Sequence, residues 1–201
     1  MRTPEALETL VEYGLVEEVL RPLMSGKEAQ IYLVRSGGEL RVAKIYKDAQ
    51  QRSFKQRSEY TEGRTTRNSR DRRAMAKHSR HGKEQDEAAW RSAAVNAIYR
   101  LSAAGVRVPV PHHFVDGVLV MELVVDHEGQ PAPRLGDLVY APAEAQQIFD
   151  FLLASTVRML CAGVVHGDLS EFNVLMAADG PVVIDFPQAV DPASNQSARK
   201  L

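Results

Sequence analysis

The stretch His166-Gly167-Asp168-Leu169-Ser170-Glu171-Phe172-Asn173 is followed twelve residues later by Asp185, and this spacing decides how the rest of the chain is read. Between them lie two short apolar runs, Val174 to Met176 and Val182 to Ile184, which predict paired strands. Phosphoryl transfer needs one carboxylate to orient or deprotonate a hydroxyl, and an amide with a second carboxylate to hold magnesium against nucleotide phosphates. Asp168, Asn173 five residues on and Asp185 after a strand have the spacing of a catalytic loop and a metal-binding loop. If they served only as turn and capping residues, three polar positions would have to fall in register with two apolar strands by coincidence.

Working backwards, Pro142 opens a long helical pattern carrying Ile148, Phe149, Leu152, Leu153, Thr156 and Leu160, which Gly163 ends. Val118 to Val125 reads as a strand, and Ala88 to Leu101 as a helix that Gly105 caps before Pro109 and Pro111 forbid its continuation. Val16 to Met24, Gln30 to Arg35 and Leu40 to Tyr46 predict an antiparallel meander, with Ser36-Gly37-Gly38 as a hairpin turn. Ahead of it, Thr3-Pro4 starts a short helix that Gly14 terminates. Lys44 lies in the apolar strand Val42-Ala43-Lys44-Ile45, where burying an unpaired ammonium is costly and a phosphate partner would explain it. Ser25-Gly26-Lys27-Glu28-Ala29, at the first strand turn, offers a glycine and a hydroxyl that could bring backbone N–H groups to phosphate; an ordinary hairpin turn would look similar.

Composition sets the outer limits. A chain of 201 residues, 44% apolar and 25% charged, can bury one substantial core. The lone Cys161 excludes a disulfide framework and a cysteine-rich zinc site, and fits a reducing cytoplasm. There is no secretory pattern and no apolar run long enough to span a bilayer, so no membrane role is expected. Net charge is −1, yet eleven Lys or Arg against three Asp or Glu fall between Arg52 and Lys83, a local +8 that leaves −9 elsewhere. This insert is too poor in large aliphatics to bury much surface, and is expected to be mobile or to bind an RNA or acidic partner.

Together these residues resemble the RIO family of atypical serine protein kinases, in its bacterial type. The resemblance runs through Ser25 to Ala29, Lys44-Ile45-Tyr46-Lys47, Phe54-Lys55, Tyr60 with Gly63-Arg64, and the turn from Ala104 to Pro109. It continues through Val120-Met121-Glu122, Pro131 to Leu135, His166 to Asn173, and Ile184-Asp185. It implies an α/β (α+β) chain with a two-lobed protein-kinase-like fold: a small antiparallel-sheet N-lobe and a reduced helical C-lobe. A single domain would cover residues 1–201, with 1–124 as N-lobe and hinge, the basic insert at 52–83, and 125–201 as a shortened C-lobe.

The resemblance also implies roles. ATP and Mg2+ would be the cofactors, Lys44 would hold phosphates together with Ser25 and Lys27, and backbone groups of Glu122 and Val124 would bracket adenine beside Met121. Asp168 would be the catalytic base, Asn173 and Asp185 the magnesium ligands, and Asp185 the acceptor in an aspartyl-phosphate step. Substrates would be protein serine or the chain itself, and a ribosomal particle is a further partner expected at the insert.

Two departures stand out. Ala94 occupies the position where kinases carry a helix glutamate paired with the strand lysine, with Glu87 two helical turns earlier. The chain also ends sixteen residues after Asp185. Two rival readings follow. One is a small-molecule kinase of the aminoglycoside or choline type, which would need a large helical region after Asp185. The other is a nucleotide-dependent RNA- or ribosome-binding switch with vestigial catalysis, which Ala94 and the insert favour and the intact polar triplet opposes.

Overall fold

The structure is a computed structural model that describes residues 3–26, 29–46, 80–193, 195 and 198, with backbone alone for 80–91. Lys27, Glu87's side chain and most of the basic insert therefore lie outside what is described. Two compact units share the chain: one holds the N-terminal segments through Val95 together with Pro111–Leu123, the other Asn96–Val110 and Val124 onward.

The first unit is built on five antiparallel strands in the order β1-β2-β3-β5-β4: β1 Glu18–Ser25, β2 Ala29–Ser36, β3 Glu39–Tyr46, β4 Pro111–Val115 and β5 Val118–Glu122. The expected meander forms. Gly37 and Gly38 at φ +62° and +76° close β2 onto β3, a two-residue turn that requires positive φ at both positions. Strand β4 is absent from the sequence reading. Its signal was Asp116-Gly117 between Phe114-Val115 and Val118-Leu119, and both turn residues again take positive φ, +48° and +78°. The strand expected from Val118 to Val125 ends at Glu122.

One face of this sheet, carrying Val34, Ala43, Val118 and Val120, buries Leu7 and Leu10 of α1 (Glu5–Glu12). An eight-residue helix is too short to persist in water alone, so burial of these two leucines, about 1.5–3 kcal/mol each, holds it in place. Pro4 occupies its N-cap position, and no side chain caps it there. Because side chains alternate along a strand, Val42, Lys44 and Tyr46 share the opposite face of β3, and all three are buried.

Helix α2 spans Arg80–Ala103, so it begins eight residues before the expected Ala88 and takes in the end of the basic insert. Its inward residues include Ala94, Val95, Ala97, Ile98 and Leu101.

In the second unit α3 runs from Pro142 to Cys161 and buries Ser155 and Met159. Phe149, Leu153, Val157 and Leu160 of the same helix are each more than half exposed. Strands β6 (Val174–Ala177) and β7 (Gly180–Val183) form a hairpin flanked on both sides. On one side the proline-rich segment after Val124 runs along β6: Met176 N–H donates to Pro133 O at 2.8 Å and Ala178 N–H to Val125 O at 3.0 Å. Prolines suit such an edge, since only their carbonyls are needed there. On the other side Val183 N–H donates to Arg107 O at 3.0 Å.

Arg107 also grips the hairpin turn, its Nε 2.9 Å and Nη2 3.4 Å from the two carboxylate oxygens of Asp179. The guanidinium hydrogen bond holds the Asp179 carboxyl below its ordinary value, against a smaller opposing effect of burial. A depressed carboxylate adds stability above its unfolded value, and loses that contribution as pH falls through the folded one. Asp179→Asn is therefore expected to lower unfolding stability near neutrality by no more than about 1 kcal/mol, because the carboxylate is largely exposed. Urea titrations should find the difference fading as pH drops below the ordinary 3.8.

Candidate active site

The polar residues singled out in the sequence converge in the second unit. Val165 and Val190 exchange two backbone hydrogen bonds of 2.9 Å, which fix the chain entering the His166 loop against the chain leaving the Asp185 loop. Ile184 joins the two loops a second time, its N–H donating to Asn173 O at 2.9 Å and its carbonyl accepting from His166 Nε2 at 2.9 Å. Asp168 N–H donates to His166 Nδ1 at 3.2 Å. One nitrogen accepts and the other faces a carbonyl, so the imidazole must be the neutral Nε2–H tautomer. His166 is buried and its ring lies 4.8 Å from that of Phe186, itself buried.

Gly167 between them has φ +80°, a left-handed conformation that costs a side-chain-bearing residue more. That turn lets His166 point inward while Asp168 is exposed one residue later. It also gives a backbone reason for glycine where kinases ordinarily carry arginine.

Asn173 folds back over the loop. Its Nδ2 donates to Asp168 O at 2.8 Å and to Asp168 Oδ2 at 3.3 Å. A second donor reaches the same oxygen: Gln188 Nε2 lies 3.1 Å from Oδ2. Asp168 Oδ1 accepts no hydrogen bond among the described residues. Asp185, at φ +67°, holds a left-handed backbone that is sparsely populated outside glycine and tolerated best by Asp and Asn. Nearby, the turn Leu135–Asp137 lies so close to the His166–Asn173 loop that a Cβ on Gly136 would stand 2.8 Å from Glu171 Cγ.

These residues suit magnesium. Both Asn173 hydrogen bonds use its nitrogen, which leaves Oδ1 as a hard oxygen donor beside carboxylates. Among the described residues no three His, Cys, Asp or Glu side chains converge on one point.

The first unit supplies most of the remaining candidates. Lys44 is buried, and its Nζ stands 5.2 Å from the Tyr46 ring centroid, a cation–π contact that eases the loss of water. Glu122 pairs with Arg41 at the end of β5. Ser25 is exposed at the end of β1, but Gly26 N–H already donates to Ala29 O at 2.9 Å, so this turn does not present that amide to a phosphate. Val124 belongs to the second unit, packed with Ala177 and Val182; its carbonyl accepts from Ala132 N–H at 3.0 Å, and its N–H donates to nothing among the described residues. Ala94 is 1% exposed, so a glutamate introduced there would be buried.

An antiparallel sheet with a buried strand lysine, and a second unit whose Asp-to-Asn loop is hydrogen-bonded to Ile184, the residue between β7 and Asp185, define the protein-kinase-like class of fold. A sequence profile of the RIO domain matches residues 30–201. The chain belongs to the RIO domain family. It is 35% identical over 189 residues to the RIO-type serine/threonine-protein kinase Rio1 of Haloferax volcanii, covering 92% of this chain and 60% of that one. Against the serine/threonine-protein kinase rio1 of Schizosaccharomyces pombe it is 30% identical over 203 residues, 98% of this chain and 38% of the relative. The crystal structure of a Rio2 kinase–ADP/Mg2+–phosphoaspartate complex from Chaetomium thermophilum superposes with a TM-score of 0.62 at 23% identity, covering 97% of this chain and 56% of that one. The chain thus spans between about two fifths and three fifths of these relatives' length.

Gln188 is the polar residue that sequence reasoning missed. It lies three residues past Asp185, in Pro187-Gln188-Ala189, where neither periodicity nor motif spacing marks it.

Proposed function

We propose that this chain is an ATP- and magnesium-dependent phosphotransferase of the serine/threonine kinase type, acting on protein hydroxyls or on itself. The observation that carries the reading is the Asp168 carboxylate, with Oδ2 bound by Asn173 and Gln188 and Oδ1 left open, on a loop locked to the strand before Asp185. Such a carboxylate can accept a hydroxyl proton at one oxygen without losing its orientation. Asn173 Oδ1 and Asp185 would hold magnesium, which would supply charge neutralisation for the nucleotide phosphates. Lys44 would take phosphate oxygens, and the open Val124 N–H would meet an acceptor on adenine. A reducing cytoplasm suits the exposed, unpaired Cys161.

Asp185 has a second capacity. As a nucleophile, an Asp185 carboxylate oxygen would attack the γ-phosphorus of ATP and form an acyl phosphate as the bond to ADP breaks. Hydrolysis of that phosphate would make the chain an ATPase. The Chaetomium Rio2 kinase was crystallised as an ADP/Mg2+–phosphoaspartate complex, which supports the same chemistry here.

Asp185→Asn is the test of this assignment. It should weaken magnesium-dependent ATP binding at least about tenfold while leaving magnesium-free binding nearly unchanged. Calorimetric titrations of ATP with and without magnesium measure both. Equal affinities of variant and parent with magnesium present would remove Asp185 from the metal site.

A further inference from the structure

We infer that Gln188 is a positioning residue that selects which oxygen of Asp168 receives the acceptor's proton, an inference that rests on the proposed role of Asp168 as base. The geometry of the turn carries it. Phe186, Ala189 and Val190 are buried on either side of Gln188. Ala189 N–H closes the turn on Phe186 O at 3.1 Å, and Val190 is paired to Val165 immediately before the loop. The Gln188 amide is therefore offered from a backbone fixed at both ends, and among the described residues its side chain bonds Asp168 Oδ2 at 3.1 Å.

An exposed aspartate held by a single long contact, such as that from Asn173 Nδ2 at 3.3 Å, can rotate about χ1 and χ2 and exchange its oxygens. A second donor on the same oxygen from a separate turn removes that freedom. The two donors also occupy the lone pairs of Oδ2, so that Oδ1 is the oxygen left accessible to an incoming proton. Asn173 gives Oδ2 only the longer of its two contacts, 3.3 Å against 2.8 Å to Asp168 O. A carboxamide suits the position because it donates without adding charge; a carboxylate there would repel Asp168.

The test compares Gln188→Met and Gln188→Glu with the parent and with Asp168→Asn, measuring ATP turnover with magnesium across pH, KM for ATP and thermal midpoint. Methionine keeps length and packing and lacks the donor, so kcat should fall about tenfold while KM for ATP and the midpoint stay close to the parent. Glutamate also lacks a donor when ionised and sets like charges side by side, so its kcat should fall at least as far as that of the methionine variant, with KM for ATP close to the parent. Parent-like kcat in both variants, with Asp168→Asn inactive, would overturn the role of Gln188 and leave the base assignment standing. So would a loss of kcat that tracks a fall in midpoint and a rise in KM, the mark of packing alone. Full turnover by Asp168→Asn would instead remove the base, and the inference with it.

Discussion

Asp168→Asn is expected to reduce phosphoryl turnover by roughly 10²–10⁴-fold, the range for losing a positioned acid–base group, while ATP and magnesium affinity change little. The substitution is nearly isosteric, and both neighbouring donors, Asn173 Nδ2 and Gln188 Nε2, still meet an amide oxygen if the new side chain sets its carbonyl at the Oδ2 position. The loop should keep its shape, because its anchors are elsewhere: His166 to Ile184, Ile184 to Asn173, and Val165 to Val190. What disappears is the proton acceptor at Oδ1, replaced by an NH2 group that can only donate. The check is steady-state ATP turnover beside calorimetric affinity. A variant that binds ATP and turns over as fast as the parent would show that Asp168 accepts no proton in the rate-limiting step.

His166→Ala should have the largest effect on stability, lowering it by about 2–4 kcal/mol. The ring joins two loops from inside. Removing it takes the hydrogen-bond partner from Ile184 O and from Asp168 N–H, and opens a void beside the buried Phe186 ring. Each unsatisfied buried group costs about 1–3 kcal/mol, with the exposed end of the loop recovering part of that from water. Turnover should fall as well, since the Asp168 backbone is no longer tied. Denaturant unfolding followed by fluorescence would measure the first effect. A variant as stable as the parent would mean that the Val165–Val190 and Ile184–Asn173 pairings hold the loops without the imidazole.

The sequence was legible where function and local pattern coincide. Asp168, Asn173 and Asp185 could be read because their spacing is fixed by a loop and a hairpin whose strands, β6 and β7, are short and apolar. Gly37-Gly38 announced a hairpin because both positions need positive φ. Strand β4 was hidden by Pro109, Pro111 and two histidines, which dilute an alternating pattern; Asp116-Gly117 was the available clue. The Phe149, Leu153, Val157 and Leu160 side of α3 reads as core by periodicity, yet periodicity reports only that a face is apolar, and these side chains are exposed. At the β1–β2 turn Gly26 N–H bonds Ala29 O, while Lys27 and Glu28 lie outside the described residues.

Gln188 was illegible for a different reason. Its bond to Asp168 joins residues twenty positions apart, and it exists only because the Phe186–Ala189 turn and the Val165–Val190 pair bring them together. No local propensity encodes such a contact. His166 is an intermediate case: its place in the motif was visible, while its tautomer and its role as the internal bolt between the loops required the positions of Ile184 O and Asp168 N–H.

The central claim is that this chain transfers the γ-phosphoryl group of ATP with Asp168 and Asp185 as its working carboxylates. Its most direct test is incubation with γ-labelled ATP and magnesium, followed by separation of free phosphate, acid-stable phosphoprotein and hydroxylamine-labile acyl phosphate. The account predicts magnesium-dependent label or phosphate release in the parent, abolition of any hydroxylamine-labile label in Asp185→Asn, and loss of acid-stable label in Asp168→Asn. ATP bound with neither transfer nor hydrolysis by the parent chain would contradict it.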